Sequence, residues 1–465
     1  MEKLTRKYGL LTAICMVVGT VIGSGVFFKA QDVLKATGGN MTTGIIAWAI
    51  TGLLMIVCAL QFSMMATKYE KISGVVDYAE ATCGKGYAYL LAWFLLNIYY
   101  PAMTGVLAWV SARYLGVLFG WSIAGPEVMV LAGFLMIASY TLNTLSPKLA
   151  GKFQVSVTVI KLIPIFLMAV IGTAVGFFNG TLTGNFAGTL TEAAGGSGGL
   201  FAAIVATVFA YDGWIVATSV NAELKNPKRT LPLALVIGSL VVVGAYILYF
   251  IGVGGGASTQ VLIESGATTA FTNVFGVVGG SLLNVCIVIS CLGTLNGLMV
   301  ASTRSMYAIA ARNEGPAPKL FRQVDKETNM TSNSAIYSLF VCAIWLVYFY
   351  GANLADSKWF GQFSFDSSEL PIVTIYAMYI PMFISWMIKE KELGFVKRFV
   401  LPCLSILACS FMVFAAVYAH GYVPYTTARA NGQFSLPVLF YLIVFAVVMV
   451  LGVFLNRKNK TLEET

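Results

Sequence analysis

The stretch Gly19-Thr20-Val21-Ile22-Gly23-Ser24-Gly25-Val26-Phe27 sets three glycines and a serine inside an otherwise apolar run, Gly9–Phe28. A second interruption, Phe209-Ala210-Tyr211-Asp212-Gly213-Trp214, puts an acid and a glycine inside another run, Leu200–Val220. A plain lipid-facing helix needs neither. In a bilayer every backbone N–H and C=O must find a partner, so a broken helix is tolerated only where its freed groups meet protein or line a cavity. Two interrupted segments, the first and the sixth of the chain, point to an inverted-repeat transporter with its site near the midplane. Small-residue helix packing is the competing reading of the glycines in the first run. Asp212 makes that reading poorer for the sixth.

Outward from these two, further apolar runs cover Thr42–Met65, Tyr87–Phe119, Val128–Leu145, Phe153–Phe177, Leu231–Gly254, Leu282–Ala310, Ser334–Phe349, Leu370–Ile388, Phe399–Ala419 and Leu436–Leu455. With tilt, each suits a span of about 20 residues. The expectation is an all-α polytopic membrane protein with twelve transmembrane helices, broken in helices 1 and 6. It forms a single transport domain over 1–465, with a first repeat at about 9–177, a second at about 200–388 and two further helices at about 399–455.

Composition agrees. The chain has 465 residues, 58% hydrophobic and 11% charged, with a mean hydropathy of +0.82. The net charge of +9 suggests a polyanion until its distribution is read. With a cytoplasmic N-terminus most Lys and Arg fall on inner loops, and Lys29, Lys35, Arg113, Lys358 and Arg429 fall on or near the outside. That is the positive-inside bias, and it needs no nucleic acid. Both termini are then cytoplasmic, in a cell (plasma) membrane. The apolar runs hold seven of the eight cysteines, leaving Cys83 to an inner loop, so no disulfide is expected. A single histidine, His420, excludes a His-based zinc site within one chain. No P-loop or paired catalytic carboxylates stand out, so neither an enzyme, a metal nor a cofactor is expected.

A broken helix offers two kinds of group. Amides where its second half begins carry partial positive charge and suit a carboxylate; here these belong to Gly23, Ser24 and Gly25, with the Ser24 hydroxyl as a further donor. Carbonyls closing the first halves, near Val21 and Phe209–Ala210, suit an ammonium. Together they describe a receptor for a zwitterion's α-amino and α-carboxyl groups. Asp212 reads as the only acid within a span interior and Lys161 as the only deep base, and intramembrane charge is a functional candidate by default. Asp212 either stabilises the break or reads the substrate. Lys161 either braces carbonyls freed by the break in helix 1 or couples transport. Phe209 is a candidate gate because of its place beside the break.

Phe209-Ala210-Tyr211-Asp212-Gly213-Trp214-Ile215, continuing to Glu223-Leu224-Lys225-Asn226-Pro227-Lys228-Arg229 and Leu231-Pro232, resembles the signature of the L-amino acid transporter family of the amino acid–polyamine–organocation superfamily. Gly19–Phe27 resembles that family's first helix. Leu295-Asn296-Gly297, Arg304 and Ala311-Arg312-Asn313-Glu314-Gly315-Pro316 resemble its eighth helix and following loop. Among bacterial members the serine/threonine exchangers look most similar, which suggests a bacterial source.

The resemblance implies a five-plus-five inverted repeat and alternating access. It puts the carboxylate on Gly23, Ser24 and Gly25, and the ammonium on carbonyls of Val21, Phe209, Ala210 and Asp212. It makes Phe209 the gate, and gives Lys161 the place of a sodium ion found in sodium-coupled relatives. The animal members' outer-loop cysteine has no counterpart in Gly120–Glu127, so no disulfide-linked heavy subunit is expected. The functional expectation is a sodium-independent exchanger of small neutral L-amino acids. Proton-coupled uptake or cationic amino acid/polyamine exchange is the alternative, and a non-transporting amino acid sensor is the reading from another class.

Overall fold

A computed structural model describes residues 9–69, 74–145, 149, 156–157, 160–187, 196–214, 224–325, 331–355 and 357–464. Their regular structure is helical. In chain order the helices are α1 (Leu10–Val21), α2 (Gly25–Ala36), α3 (Met41–Tyr69), α4 (Val75–Cys83), α5 (Lys85–Leu118), α6 (Pro126–Leu145), α7 (Leu162–Phe178), α8 (Thr181–Ala187) and α9 (Gly196–Tyr211). There follow α10 (Pro227–Gly256), α11 (Thr259–Ser265), α12 (Ala267–Ala310), α13 (Pro318–Phe321), α14 (Ser332–Leu354), α15 (Leu370–Lys389), α16 (Val396–Ala430) and α17 (Pro437–Glu464).

Among the described residues nine helices are long and apolar enough to cross a membrane. Counting each of two bent pairs as one span, α1 with α2 and α7 with α8, gives up to 11. The expected twelve is not reached among these residues because the sixth run contributes only Gly199–Tyr211 as a shorter apolar helix. Residues 215–220 of that run, and 153–155 and 158–159 of the fifth, lie outside the described residues. The first run is broken as expected, with α1 and α2 bent by 53°.

The chain divides into two compact units, which are not its halves. The first takes Met1–Ala88, Leu162–Leu283 and Ile372–Ala419. Glycine sets its closest packing. A Cβ on Gly176 would lie 2.2 Å from the Gly255 Cα, and one on Gly255 would lie 2.2 Å from the Gly172 carbonyl oxygen. With hydrocarbon outside as well as inside, close backbone approach is what holds such helices together, and here it seals α7 against α10. The Asn185 amide ties α8 to the end of α10 by donating to the carbonyls of Gly254 (2.7 Å) and Ala257 (2.9 Å). Gln31 in the same way holds α2 to α11 through the Ile263 carbonyl at 2.8 Å.

The second unit takes Tyr89–Lys161, Asn284–Pro371 and His420–Thr465. In α5 a π turn at Leu95–Tyr99 frees the Asn97 carbonyl, which accepts from the Trp345 indole of α14 at 2.8 Å. Similar π turns lie within α7 at Met168–Gly172 and within α16 at Tyr418–Tyr422, while others end α14 at Tyr350–Leu354 and begin α16 at Val396–Val400. The Asn296 side-chain oxygen accepts from the Asn143 amide at 2.8 Å, joining α12 to α6. The polar stretch Gly351–Glu369 is a packed cover. The Tyr348 ring meets Phe360 at 4.8 Å and Phe365 at 4.6 Å, and Ser367 and Ser368 are buried. His420 pairs with the buried Glu369 carboxylate at 3.0 Å.

The glycine seam yields a test. Gly255→Ala pushes a methyl against the Gly172 carbonyl, where neither backbone has room to yield. Overpacking of this kind costs about 1–3 kcal/mol. The thermal midpoint of the purified protein in detergent should fall by several degrees, whereas Gly133→Ala, whose Cβ would meet nothing within 4 Å, should leave it unchanged.

Candidate functional site

The two interruptions named from sequence meet within the first unit. α1 ends at Val21; Ile22 leaves the helix at φ −67°, ψ 107°, and α2 starts at Gly25 after Ser24. The first amides of α2 have no carbonyl one turn earlier to bond, as at any helix start. Ser24 is 1% exposed, and among the described residues its hydroxyl has no hydrogen-bond partner, which is costly for a buried donor. On the other side α9 ends at Tyr211, and the chain turns through Asp212 and Gly213, with the Asp212 amide 3.4 Å from the Phe209 carbonyl.

Two glycines permit the contact. A Cβ on Gly25 would lie 2.6 Å from the Ala210 Cα. Gly213 has φ +104°, a conformation open to glycine, and a Cβ there would stand 2.9 Å from the Thr20 carbonyl. The backbone of each break thus lies directly on the other. Phe209, 8% exposed, lies beside this contact: a Cβ on Gly25 would stand 3.1 Å from its Cδ1, and its ring is 5.1 Å from that of Phe28.

Sequence reading missed the group that holds the breaks together. The Tyr246 hydroxyl of α10 lies 2.9 Å from the Ala210 carbonyl and 3.2 Å from that of Val21, and the Gly23 amide faces the same oxygen. One hydroxyl therefore answers freed groups from both broken helices. The ring is wedged between Trp48 (5.4 Å) and Tyr211 (5.1 Å), and the Tyr211 hydroxyl donates to the Trp48 carbonyl at 2.9 Å. Each carbonyl oxygen keeps a second lone pair, so Val21 and Ala210 remain able to accept from an ammonium. A tyrosine inside an apolar run was the available signal, but it reads equally as packing.

Asp212 is half-buried and stands near the hydroxyls of Tyr376 and Tyr379 on α15. The Trp214 indole lies 3.4 Å from the Tyr376 oxygen. Val21, Gly23, Ser24, Gly25, Phe209, Ala210 and Asp212 are thus gathered in one unit. Lys161 belongs to the other, where it is 5% exposed and its amide bonds the Val157 carbonyl at 3.1 Å. Lys161 is not the only buried base: Lys29 and Arg113, expected at or near the outer surface, are 1% and 8% exposed. Residues 215–223, including Ile215 and Glu223, lie outside the described residues.

Removing the Tyr246 hydroxyl should loosen both breaks at once. Tyr246→Phe keeps the ring between Trp48 and Tyr211 but withdraws the shared donor, at about 1–3 kcal/mol for each group left unsatisfied. A lower thermal midpoint in detergent is expected for Tyr246→Phe, with a smaller change for Tyr249→Phe.

The family model described as amino acid permease matches residues 8–464. The serine/threonine exchanger SteT of Bacillus subtilis (strain 168) is 30% identical over 398 residues, covering 85% of this chain and 86% of that protein. The b(0,+)-type amino acid transporter 1 of Oryctolagus cuniculus is 27% identical over 350 residues, covering 74% and 70%. Among solved structures, the crystal structure of MhsT in complex with L-phenylalanine superposes with a TM-score of 0.54 at 14% identity, over 90% of this chain and 100% of that one. At that identity the likeness concerns the fold alone.

Proposed function

Because the chain belongs to the amino acid permease family, and is therefore a multi-pass membrane transporter and not an enzyme, we propose that it exchanges small neutral L-amino acids across the cell membrane without sodium. The observation that carries this reading is the Ser24 hydroxyl, buried at the start of α2 and without a partner among the described residues. A carboxylate there accepts from that hydroxyl and from the amides of Ser24 and Gly25, at the positive end of a twelve-residue helix. Gly23 contributes when Tyr246 releases its amide. The ammonium is then left to the carbonyls of Val21, Phe209, Ala210 and Asp212. Their spacing fits a zwitterionic head group better than a polyamine, which brings no carboxylate.

Binding of the head group between the two breaks couples them, because the substrate bridges groups that belong to different helices. Alternating access follows if that bridge is stable only with Phe209 closed over it. The domain reading goes with this: repeats at about 9–177 and 200–388, two added helices at about 399–455, and both termini cytoplasmic. No disulfide-linked subunit is proposed, since Gly120–Glu127 offers no cysteine. The similarity to a serine/threonine exchanger supports exchange of small neutral substrates.

Counterflow in proteoliposomes tests the reading. Labelled L-serine should enter only when unlabelled amino acid is trapped inside, and decarboxylated amines should compete poorly. Efficient competition by amines would move polyamine exchange ahead, and binding without counterflow would make the protein a sensor. Asp212→Asn should leave neutral exchange largely intact.

Lys161 supplies the second test. A covalently fixed ammonium replaces a sodium ion in this proposal, so parent exchange should be equal in sodium-containing and sodium-free buffer. Lys161→Ala should bind substrate more weakly or exchange it more slowly while remaining folded. An absolute sodium requirement in the parent, or undiminished exchange in the variant, removes Lys161 from the mechanism.

A further inference from the structure

Lys29 follows Gly25 by one helical turn on α2, so the two residues share a face. Its side chain is buried, and its ammonium sits 5.4 Å from the centre of the Phe28 ring and 5.6 Å from that of Phe209. Both distances fall within the range in which a cation is held by a ring's negative face. The ammonium also pairs with Asp32 at 3.2 Å, but that carboxylate is 37% exposed. An ion pair open to water contributes little, whereas burying an ammonium is costly without compensation. The two aromatic faces supply part of that compensation, and one of them is the ring beside the junction of the broken helices.

We propose that Lys29 is a positioning residue for the gate: its buried ammonium holds the Phe209 ring in the closed orientation and ties it to α2. This rests on the reading of Phe209 as the gate. Phe209 lies in the last turn of α9, and the ammonium adds a contact from α2 to those its ring makes with Phe28 and near Gly25. With it, the ring follows α2, the same helix whose first amides are proposed to take the carboxylate. Closure of the ring and formation of the carboxylate site then become one event, and Lys29 acts on affinity without touching substrate.

A double-mutant cycle on the full-length protein decides this. Lys29→Met removes the charge and keeps the stem, Phe209→Leu removes the ring, and Lys29→Arg keeps a cation over it. In ligand-free detergent the drop in thermal midpoint for Lys29→Met should be clearly smaller when Phe209 is already Leu, the remainder being the contacts with Phe28 and Asp32. In counterflow with labelled L-serine, Lys29→Met and Phe209→Leu should each raise KM by roughly 5- to 30-fold, the span of a desolvated cation–π contact. The double variant should be no worse than the weaker single, and Lys29→Arg should stay within about twofold of the parent. Additive midpoint changes overturn the contact whatever transport shows. Coupled midpoints with an unchanged KM in every variant mean the ring is held but gates nothing, which overturns both the gate and the positioning role. Absence of L-serine exchange in the parent counts against the proposed substrate class alone, and the midpoint cycle still decides the contact.

Discussion

A backbone polar group in the interior of a membrane protein must be answered by another protein group, by water or by a ligand. The rest of this structure depends on how that requirement is met where two helices stop short of a full span. Unwinding at Ile22–Ser24 and at Asp212–Gly213 exposes groups that an unbroken helix would satisfy internally. The Tyr246 hydroxyl meets part of the demand, contacting Val21, Ala210 and the Gly23 amide. Among the described residues the Ser24 hydroxyl is left over. In the function proposed above, a substrate carboxylate answers this hydroxyl, so that substrate completes the hydrogen bonding of the protein.

The spans were legible because length and apolarity are one-dimensional properties. The run Leu370–Ile388 and the helix Leu370–Lys389 differ by one residue at one end. The run Thr42–Met65 and the helix Met41–Tyr69 differ more, because Lys68 and Tyr69 read as loop yet continue the helix to reach Glu390. The first break was legible from its glycines, and the sixth run's interruption from Asp212 and Gly213. Both glycine readings of the first run hold together: the chain is broken there, and Gly25 also allows the close approach to Ala210.

What escaped was whatever depends on a distant partner. Tyr246 is an ordinary tyrosine until two carbonyls far away in sequence are placed beside its hydroxyl. Lys29 reads as an outer-edge cation because the apolar run ends at Phe28; the Asp32 carboxylate and the rings of Phe28 and Phe209 around its ammonium come together only in the fold. The short helices Thr181–Ala187 and Thr259–Ser265 are too short and polar to show a period. Their stability comes from Asn185 and from the carbonyls that receive Gln31, which are tertiary bonds.

The π turns have an evolutionary side. A π turn carries one residue more than the α-helical turn it replaces, so it absorbs an insertion without ending the helix. Removing that residue from Leu95–Tyr99 would restore regular winding there and rotate everything beyond it by about 100° about the helix axis. The Asn97 carbonyl that Trp345 uses would close back into the helix. A π turn inside a span, as at Leu95–Tyr99, Met168–Gly172 and Tyr418–Tyr422, is thus a phase shifter: it lets the two ends of one span present faces that a single periodicity cannot align. Relatives that differ by one residue in these segments are therefore expected to keep the span and change which side chains face its neighbours.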